Sequence, residues 1–145
     1  MTAALLTLLL ALQLVVDVHD GDTVRLQDGQ RVRLWGIDAP ELKQPYGIQS
    51  RDHLRKLCQG KVVTLKTHGE DKYGRTLAVV LVAGRNCNES LLQAGLAWWY
   101  RKYTPGEKRY EALEAEAHRK RVGLWAARSW MPPWEWRHRP RKASR

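Results

Sequence analysis

The sequence predicts a small α+β domain, a closed or nearly closed β-barrel that carries helices. The chain has 145 residues, a common size for a single domain with one hydrophobic core. Five short segments have a strand-like pattern, with one helical segment after the third strand and two after the last. No internal repeat and no linker divides the chain, so we expect one domain.

The first three strands are expected between residues 14 and 35, where the pattern is strand-like. Asp28-Gly29 interrupts this stretch and favours a two-residue hairpin, because Asp-Gly readily takes the positive φ values of a type I′ turn. That hairpin pairs Val24 with Arg33 and makes Asp22 the diagonal neighbour of Arg33, about 7–8 Å away. The pattern therefore predicts a carboxylate and a guanidinium on one surface.

The remaining elements alternate between strands and helices. A helix is expected after the Pro45 and Gly47 region, with Leu54, Leu57 and Cys58 on one face, and Gly60 ends it. Two strands are expected at residues 61–67 and 76–82, joined by a polar turn at 68–75. Two further helices are expected at residues 88–94 and 107–121.

The charge of the chain favours a polyanionic partner. Lys and Arg number 25 against 15 Asp and Glu, which gives a formal net charge of +10 and a pI near 10.0. Nucleic acid is the first expectation, and an acidic partner protein or an anionic membrane surface also fits. The two cysteines exclude a cysteine-built zinc site and a disulfide-dense scaffold.

The two ends of the chain differ in composition from the middle. Residues 3–16 are apolar apart from Thr7 and Gln13, a run shorter than the roughly 20 residues that a membrane-spanning helix needs. We expect residues 1–11 to be a signal peptide, 12–127 to be the domain, and 128–145 to be a basic tail rich in Trp and Pro. The alternatives are that the apolar run is the first buried strand, or that it stays attached as a membrane tether.

The tail is expected to pack in part on the domain. It carries several tryptophans among basic residues, and Pro132-Pro133 favours an extended conformation. A solvated, partly disordered end is the alternative.

Two acids flank a proline shortly after the third strand. Asp38 and Glu41 are three residues apart, and Pro40 disfavours a helical conformation at Ala39, so the Ala39 carbonyl is expected to point outward beside the acids. Clustered carboxylates with a carbonyl are ligands for a hard cation, calcium or magnesium.

The order of the motifs is more specific than any one of them. Between about residues 15 and 125 the chain resembles the staphylococcal nuclease family, through the segments Asp20-Gly21-Asp22-Thr23, Arg33, Asp38-Ala39-Pro40-Glu41 and Asp71-Lys72-Tyr73-Gly74-Arg75. The resemblance implies an OB-fold, a five-stranded barrel with three α-helices. It also implies a calcium-dependent nuclease that cleaves both DNA and RNA to 3′-phosphate products. From the resemblance together with the apolar N-terminal run, we expect an exported monomer with no stable membrane insertion.

The resemblance implies a calcium site. Asp22 and Asp38 would be direct ligands, and the Ala39 carbonyl would be a third. The family commonly has Thr where Ala39 stands, but a main-chain ligand survives that change. Asp20 would support the site from behind.

The resemblance also implies the residues that act on substrate. Glu41 would hold the attacking water, either as a general base or by orienting it, while Arg33 and Arg75 would grip the phosphate. Tyr73 and Tyr103 would flank the bound nucleotide. The rival interpretation is a non-catalytic nucleic-acid-binding module of the same fold, against which the retained acids and arginines count.

The two cysteines are expected to pair if the protein is exported. In the family the positions of Cys58 and Cys87 are usually apolar and belong to the same part of the core, which implies that the sulfurs come within bonding range. Two buried free thiols are the alternative.

Overall fold

A computed structural model describes residues 2–4 and 13–141 of the chain. Its strands are β1 (Val15–Asp20), β2 (Thr23–Leu26), β3 (Arg31–Leu34), β4 (Ile37–Asp38), β5 (Thr64–Glu70), β6 (Thr76–Val82), β7 (Arg85–Asn86) and β8 (Trp98–Trp99). The helices are α1 (Gly47–Cys58), α2 (Cys87–Gln93), α3 (Lys108–Lys120) and the single turn α4 (Pro133–Trp136), with a 3₁₀ turn at Gly123–Ala126. The predicted α+β fold is confirmed, with the five principal strands and three main helices in their expected places.

The principal sheet has the order β1-β2-β3-β6-β5, with β7 on β6, and β4 pairs separately with β8. The β3–β6 pair is parallel and the other pairs are antiparallel. An antiparallel bridge between Leu14 and Val62 links the start of β1 to the segment before β5. This bridge brings the two edges of the sheet together without full strand pairing.

The hairpin between β2 and β3 differs from the sequence expectation. Thr23 pairs with Arg33 and Val24 with Val32, so the register is shifted by one residue. The connection is a three-residue loop, since the Leu26 N–H donates to the Gln30 carbonyl at 2.9 Å. Burial explains the register, because a strand pair has to place all its apolar side chains on one face, and Val24 and Val32 are both almost completely buried.

The helices cover the sheet and close the core. On α1, Leu54, Leu57 and Cys58 are buried, as their spacing predicts. On α3, the buried residues include Tyr110, Leu113 and Ala117. The turn expected at 68–75 is shorter than predicted, because β5 continues to Glu70.

The C-terminal tail packs against the domain. Trp98 contacts both Trp125 and Trp134 within one small apolar cluster. The expected extended conformation is correct at Pro132 and wrong at Pro133, which begins α4. Proline suits the first position of a helix because its fixed φ is helical and its missing N–H would have no partner there.

The structure describes only residues 2–4 of the expected signal peptide. Residues 1 and 5–11 of the expected signal peptide lie outside the described residues. In the part of the chain that is described, no helix has the length and hydropathy to cross a membrane.

Candidate active site

A tight turn between β1 and β2 presents the first two acids. Asp20 pairs with Thr23, which leaves Gly21 and Asp22 as the turn residues. A Cβ atom at Gly21 would collide with the side chain of Ser50 on α1, so only glycine lets the turn approach this helix. The close packing fixes the position of Asp22.

Arg33 joins two of the predicted calcium ligands. Its Nη1 lies 3.2 Å from Asp22 Oδ2, and its Nη2 lies 3.2 Å from Asp38 Oδ1. Nη1 also donates to the Ile37 carbonyl at 2.9 Å. The side chains of Arg33, Asp22 and Asp38 are 13%, 7% and 1% exposed, so this ion-pair network is largely shielded from bulk solvent. The carboxylate and guanidinium predicted on one surface are therefore in direct contact.

Asp22 is held in its charged form. Burial is the largest influence and favours the neutral acid, but the charge of Arg33 and the hydrogen bonds to Asp22 together outweigh burial and lower the pKa of Asp22. Two hydrogen bonds add to this effect: the Ala39 N–H donates to Oδ2 at 2.7 Å, and the Thr23 hydroxyl donates to Oδ1 at 3.0 Å. The bond from the Ala39 N–H places Ala39 beside Asp22. The ligand role of the Ala39 carbonyl remains a prediction.

The pKa of Asp20 shifts in the opposite direction to that of Asp22. Burial and the negative charge of Asp22 raise the pKa of Asp20 to about 8. The Asp22 N–H donates to Asp20 Oδ1 at 3.1 Å, so the two acids are held close together. At neutral pH Asp20 therefore favours its neutral form, whereas Asp22 favours its charged form.

The donor set fits a hard divalent cation. Asp22, Asp38 and the Ala39 carbonyl offer oxygen atoms only, the ligand type that calcium prefers. Within the described residues, no three His, Cys, Asp or Glu side chains converge as a complete metal cage. Two carboxylates and one carbonyl would thus be the protein's share, with water or phosphate oxygens at the other positions.

Glu41 is more exposed to solvent than Asp22 and Asp38. Its side chain is 37% exposed, and its N–H donates to Gln44 Oε1 at 3.1 Å. The structure thus places Glu41 where a water molecule can reach it.

Arg75 is anchored within its own turn. Its Nε lies 2.7 Å from Asp71 Oδ2, and the N–H groups of Tyr73 and Arg75 donate to Asp71 Oδ1 at 2.9 and 3.0 Å. In the described part of the chain, its ion pair is with Asp71 and not with the acids around Arg33. The parallel pairing of Arg33 with Leu77 nonetheless keeps this turn close to β3.

The two predicted nucleotide-flanking tyrosines are available to a ligand. Tyr73 is 61% exposed and Tyr103 is 69% exposed. Tyr103 contacts Tyr100 edge to face, with ring centroids 4.7 Å apart. Their exposure is compatible with the predicted role, which remains a prediction.

Arg137 is a site residue that the sequence reasoning did not single out. Its Nη2 lies 2.8 Å from Asp38 Oδ2, and its Nη1 lies 2.8 Å from Glu41 Oε1. No local pattern distinguishes this arginine from the other cations of the tail, because its partners are 96 and 99 residues earlier in the chain. The preceding Pro-Pro-Trp-Glu-Trp run, which predicts packing, was the only available signal.

Cys58 and Cys87 are both buried and are free thiols in this structure. The Cys58 thiol donates to the Leu54 carbonyl at 3.3 Å. The disulfide stays a prediction about the oxidised protein.

Comparison with known proteins identifies the lineage of this site. The family of staphylococcal nuclease homologues matches residues 31–127. The chain belongs to the staphylococcal nuclease family. The matched range includes Arg33, Asp38, Glu41 and Arg75, four of the residues that the motif order assigned to function.

Relatives of the staphylococcal nuclease family occur in bacteria and plants. An uncharacterized endonuclease of Escherichia coli O157:H7 is 43% identical over 129 residues, which cover 86% of this chain and 84% of that protein. The micrococcal nuclease of Shigella flexneri is 37% identical over 143 residues, covering 90% and 82%. A staphylococcal-like nuclease of Arabidopsis thaliana is 44% identical over 113 residues, covering 77% of this chain and 34% of that protein.

Proposed function

We propose that this protein is a calcium-dependent nuclease that hydrolyses DNA and RNA with little sequence or sugar specificity. The observation that carries the proposal is the buried Arg33, which joins Asp22 and Asp38 within 3.2 Å in a member of the staphylococcal nuclease family. Burying charged groups costs free energy, and a non-catalytic binding module gains nothing from this ion-pair network that would offset that cost.

Asp22, Asp38 and the Ala39 carbonyl would hold the calcium ion. When bound, the ion supplies positive charge that stabilises the oxygens of the phosphate as negative charge builds on them. Asp20 supports the site from behind, through its bond with the Asp22 N–H.

The arginines act directly on the phosphate. A guanidinium can donate two parallel hydrogen bonds to phosphate oxygens, a geometry that lysine lacks. Arg33 is fixed by the Ile37 carbonyl and by two acids, and Arg75 is fixed by Asp71, so both guanidinium groups are oriented before substrate arrives. This preorganisation is what stabilises a transition state more than a ground state.

Glu41 holds the attacking water by accepting a hydrogen bond from it. The water oxygen attacks phosphorus, and the bond from phosphorus to the 5′ oxygen breaks. The proton released from the water balances the one that the 5′ oxygen gains, so the products are a 3′-phosphate and a 5′-hydroxyl.

The surface of the protein favours a polyanionic substrate. The net charge of +10 attracts nucleic acid through its phosphates, without regard to sequence. Tyr73 and Tyr103 are exposed and can stack on bases, which is also tolerant of sequence. Both features fit a nuclease of low specificity.

We also propose that the protein is exported as a monomer. The apolar residues 1–11 suit a signal peptide. An oxidising compartment would then join Cys58 to Cys87.

The direct test is degradation of plasmid DNA and of RNA with calcium, with magnesium alone, and with a calcium chelator. We expect cleavage with calcium and none with the chelator, and fragments whose 3′ ends a polymerase extends only after a phosphatase has acted.

Asp22→Asn should lose this activity at the same calcium concentration. Asp52→Asn removes an acid whose side chain is half-exposed on α1, and it should retain activity. Cleavage that survives chelation would contradict the metal assignment, and an absence of cleavage under every condition would favour the binding module.

A further inference from the structure

The tail segment at residues 130–139, here the docked segment, is fixed to the domain near the candidate site. Trp134 stacks against Tyr100, with ring centroids 5.3 Å apart, and meets Trp98 edge to face at 5.7 Å. Gln44 Nε2, from the loop that follows Glu41, donates to the Met131 carbonyl at 2.6 Å. These contacts hold the first turn of α4 and the residues before it against the domain.

The docked segment places the Arg137 guanidinium on the acids. Asp38 receives two hydrogen bonds from it, Nη2 to Oδ2 at 2.8 Å and Nη1 to Oδ1 at 3.2 Å. Nη1 also donates to Glu41 Oε1 at 2.8 Å. Charge-assisted, bidentate bonds of this kind are the strong ones among protein hydrogen bonds.

Both oxygens of Asp38 are therefore engaged. Arg33 and Arg137 approach Asp38 Oδ1 from different elements, each at 3.2 Å. Among the described residues, Arg137 is the one that bonds Oδ2. A divalent cation on Asp38 would lie beside two guanidinium groups and repel both.

The two arginines differ in how firmly they are held. Arg33 is 13% exposed and is bound to the Ile37 carbonyl and Asp22 as well as to Asp38. Arg137 is 38% exposed, and among the described residues its side chain forms hydrogen bonds and ion pairs with the two acids alone. Arg137 is the cation that can leave.

We infer that Arg137 is an internal competitor for the metal: it occupies Asp38 and Glu41 in the metal-free protein, and calcium binding displaces it. The inference rests on the proposed function, because it takes Asp38 to be a calcium ligand. The docked segment thereby sets the calcium concentration at which the site loads.

Calcium titration by isothermal calorimetry tests this inference with a readout that is independent of catalysis. Arg137→Gln removes the competitor and should bind calcium roughly tenfold more tightly than the wild type, since bonds to a charged partner no longer have to be broken. Arg137→Lys keeps the charge without the bidentate geometry and should lie between the two.

Two matched variants separate displacement from a general effect of charge. Arg139→Gln removes an equal charge from a side chain that stacks on Trp136, so it should bind calcium like the wild type. Trp134→Ala keeps every charge but weakens the docking, and it should also tighten calcium binding. Thermal unfolding in the presence of a chelator confirms that each variant is folded.

The outcomes distinguish the two proposals. Equal calcium affinity in wild type, Arg137→Gln and Trp134→Ala overturns the competition and leaves the proposed nuclease intact. Equal tightening by Arg139→Gln and Arg137→Gln also overturns it, since net charge then explains the effect. No calcium binding in any folded variant overturns both proposals.

Discussion

Replacing Arg33 by glutamine tests whether the acid pair depends on one buried cation. The substitution leaves Asp22 and Asp38, with side chains 7% and 1% exposed, without their shared partner. Removing one partner of a buried ion pair destabilises a protein by about 3–5 kcal/mol, because an uncompensated charge stays buried. Asp38 keeps its bonds with Arg137, so we expect the lower end, about 3 kcal/mol.

The assay is equilibrium urea unfolding, followed by circular dichroism in the presence of a chelator. Arg25→Gln is the control, because Arg25 is an exposed residue of β2, and its loss should change the free energy of unfolding by no more than about 0.5 kcal/mol. Saturating calcium should restore part of the lost stability in Arg33→Gln, since a ligand at 100 times its Kd stabilises the folded state by about 2.7 kcal/mol. Identical unfolding midpoints for wild type and Arg33→Gln would show that the buried acids do not depend on this cation for stability.

Four further outcomes follow from the site and the core. Asp22→Asn and Asp38→Asn should shift the calcium dependence of activity to higher concentration, and an unchanged midpoint in both would contradict their ligand roles. Glu41→Gln should lower kcat by about 10²–10⁴-fold while retaining calcium binding better than the Asp variants, as titration would show. Burial raises the pKa of Cys58 to about 12 and that of Cys87 to about 11, so alkylation of the reduced protein at pH 8 should require unfolding. Protein purified from the periplasm or medium should yield no thiols even when unfolded; recovery of two per chain would contradict the disulfide.

The elements of the fold that depend on local pattern were predictable. Periodicity located α1 and α3, and the buried faces agree with the spacing of Leu54, Leu57 and Leu113. The register of the β2–β3 hairpin was not predictable, because the local sequence Asp28-Gly29 fits a two-residue loop and a three-residue loop equally well. Burial of the apolar face determines which of the two loops forms, and this burial depends on the whole sheet.

The candidate site likewise contains one contact that depends on local sequence and one that does not. Asp22 and Arg33 are 11 positions apart on neighbouring strands, so local pairing brings them near one another even when the register is one residue wrong. Arg137 reaches Asp38 across 99 positions, and that contact depends on how the aromatic residues of the tail pack. Such a contact has no periodicity, and nothing in one sequence distinguishes it from a solvated charge.

The parallel pairing of β3 and β6 has a consequence for how the enzyme becomes active. One edge of β3 joins β2 through a short loop, whereas the other edge joins β6, with Arg33 opposite Leu77. Pairing between distant segments closes a long loop and forms late in folding. During refolding, nuclease activity should therefore appear after the helical signal has recovered, and a chain ending before Thr76 should leave Arg33 on an open sheet edge. The enzyme would then acquire the ability to cut nucleic acid only as its folding is completed.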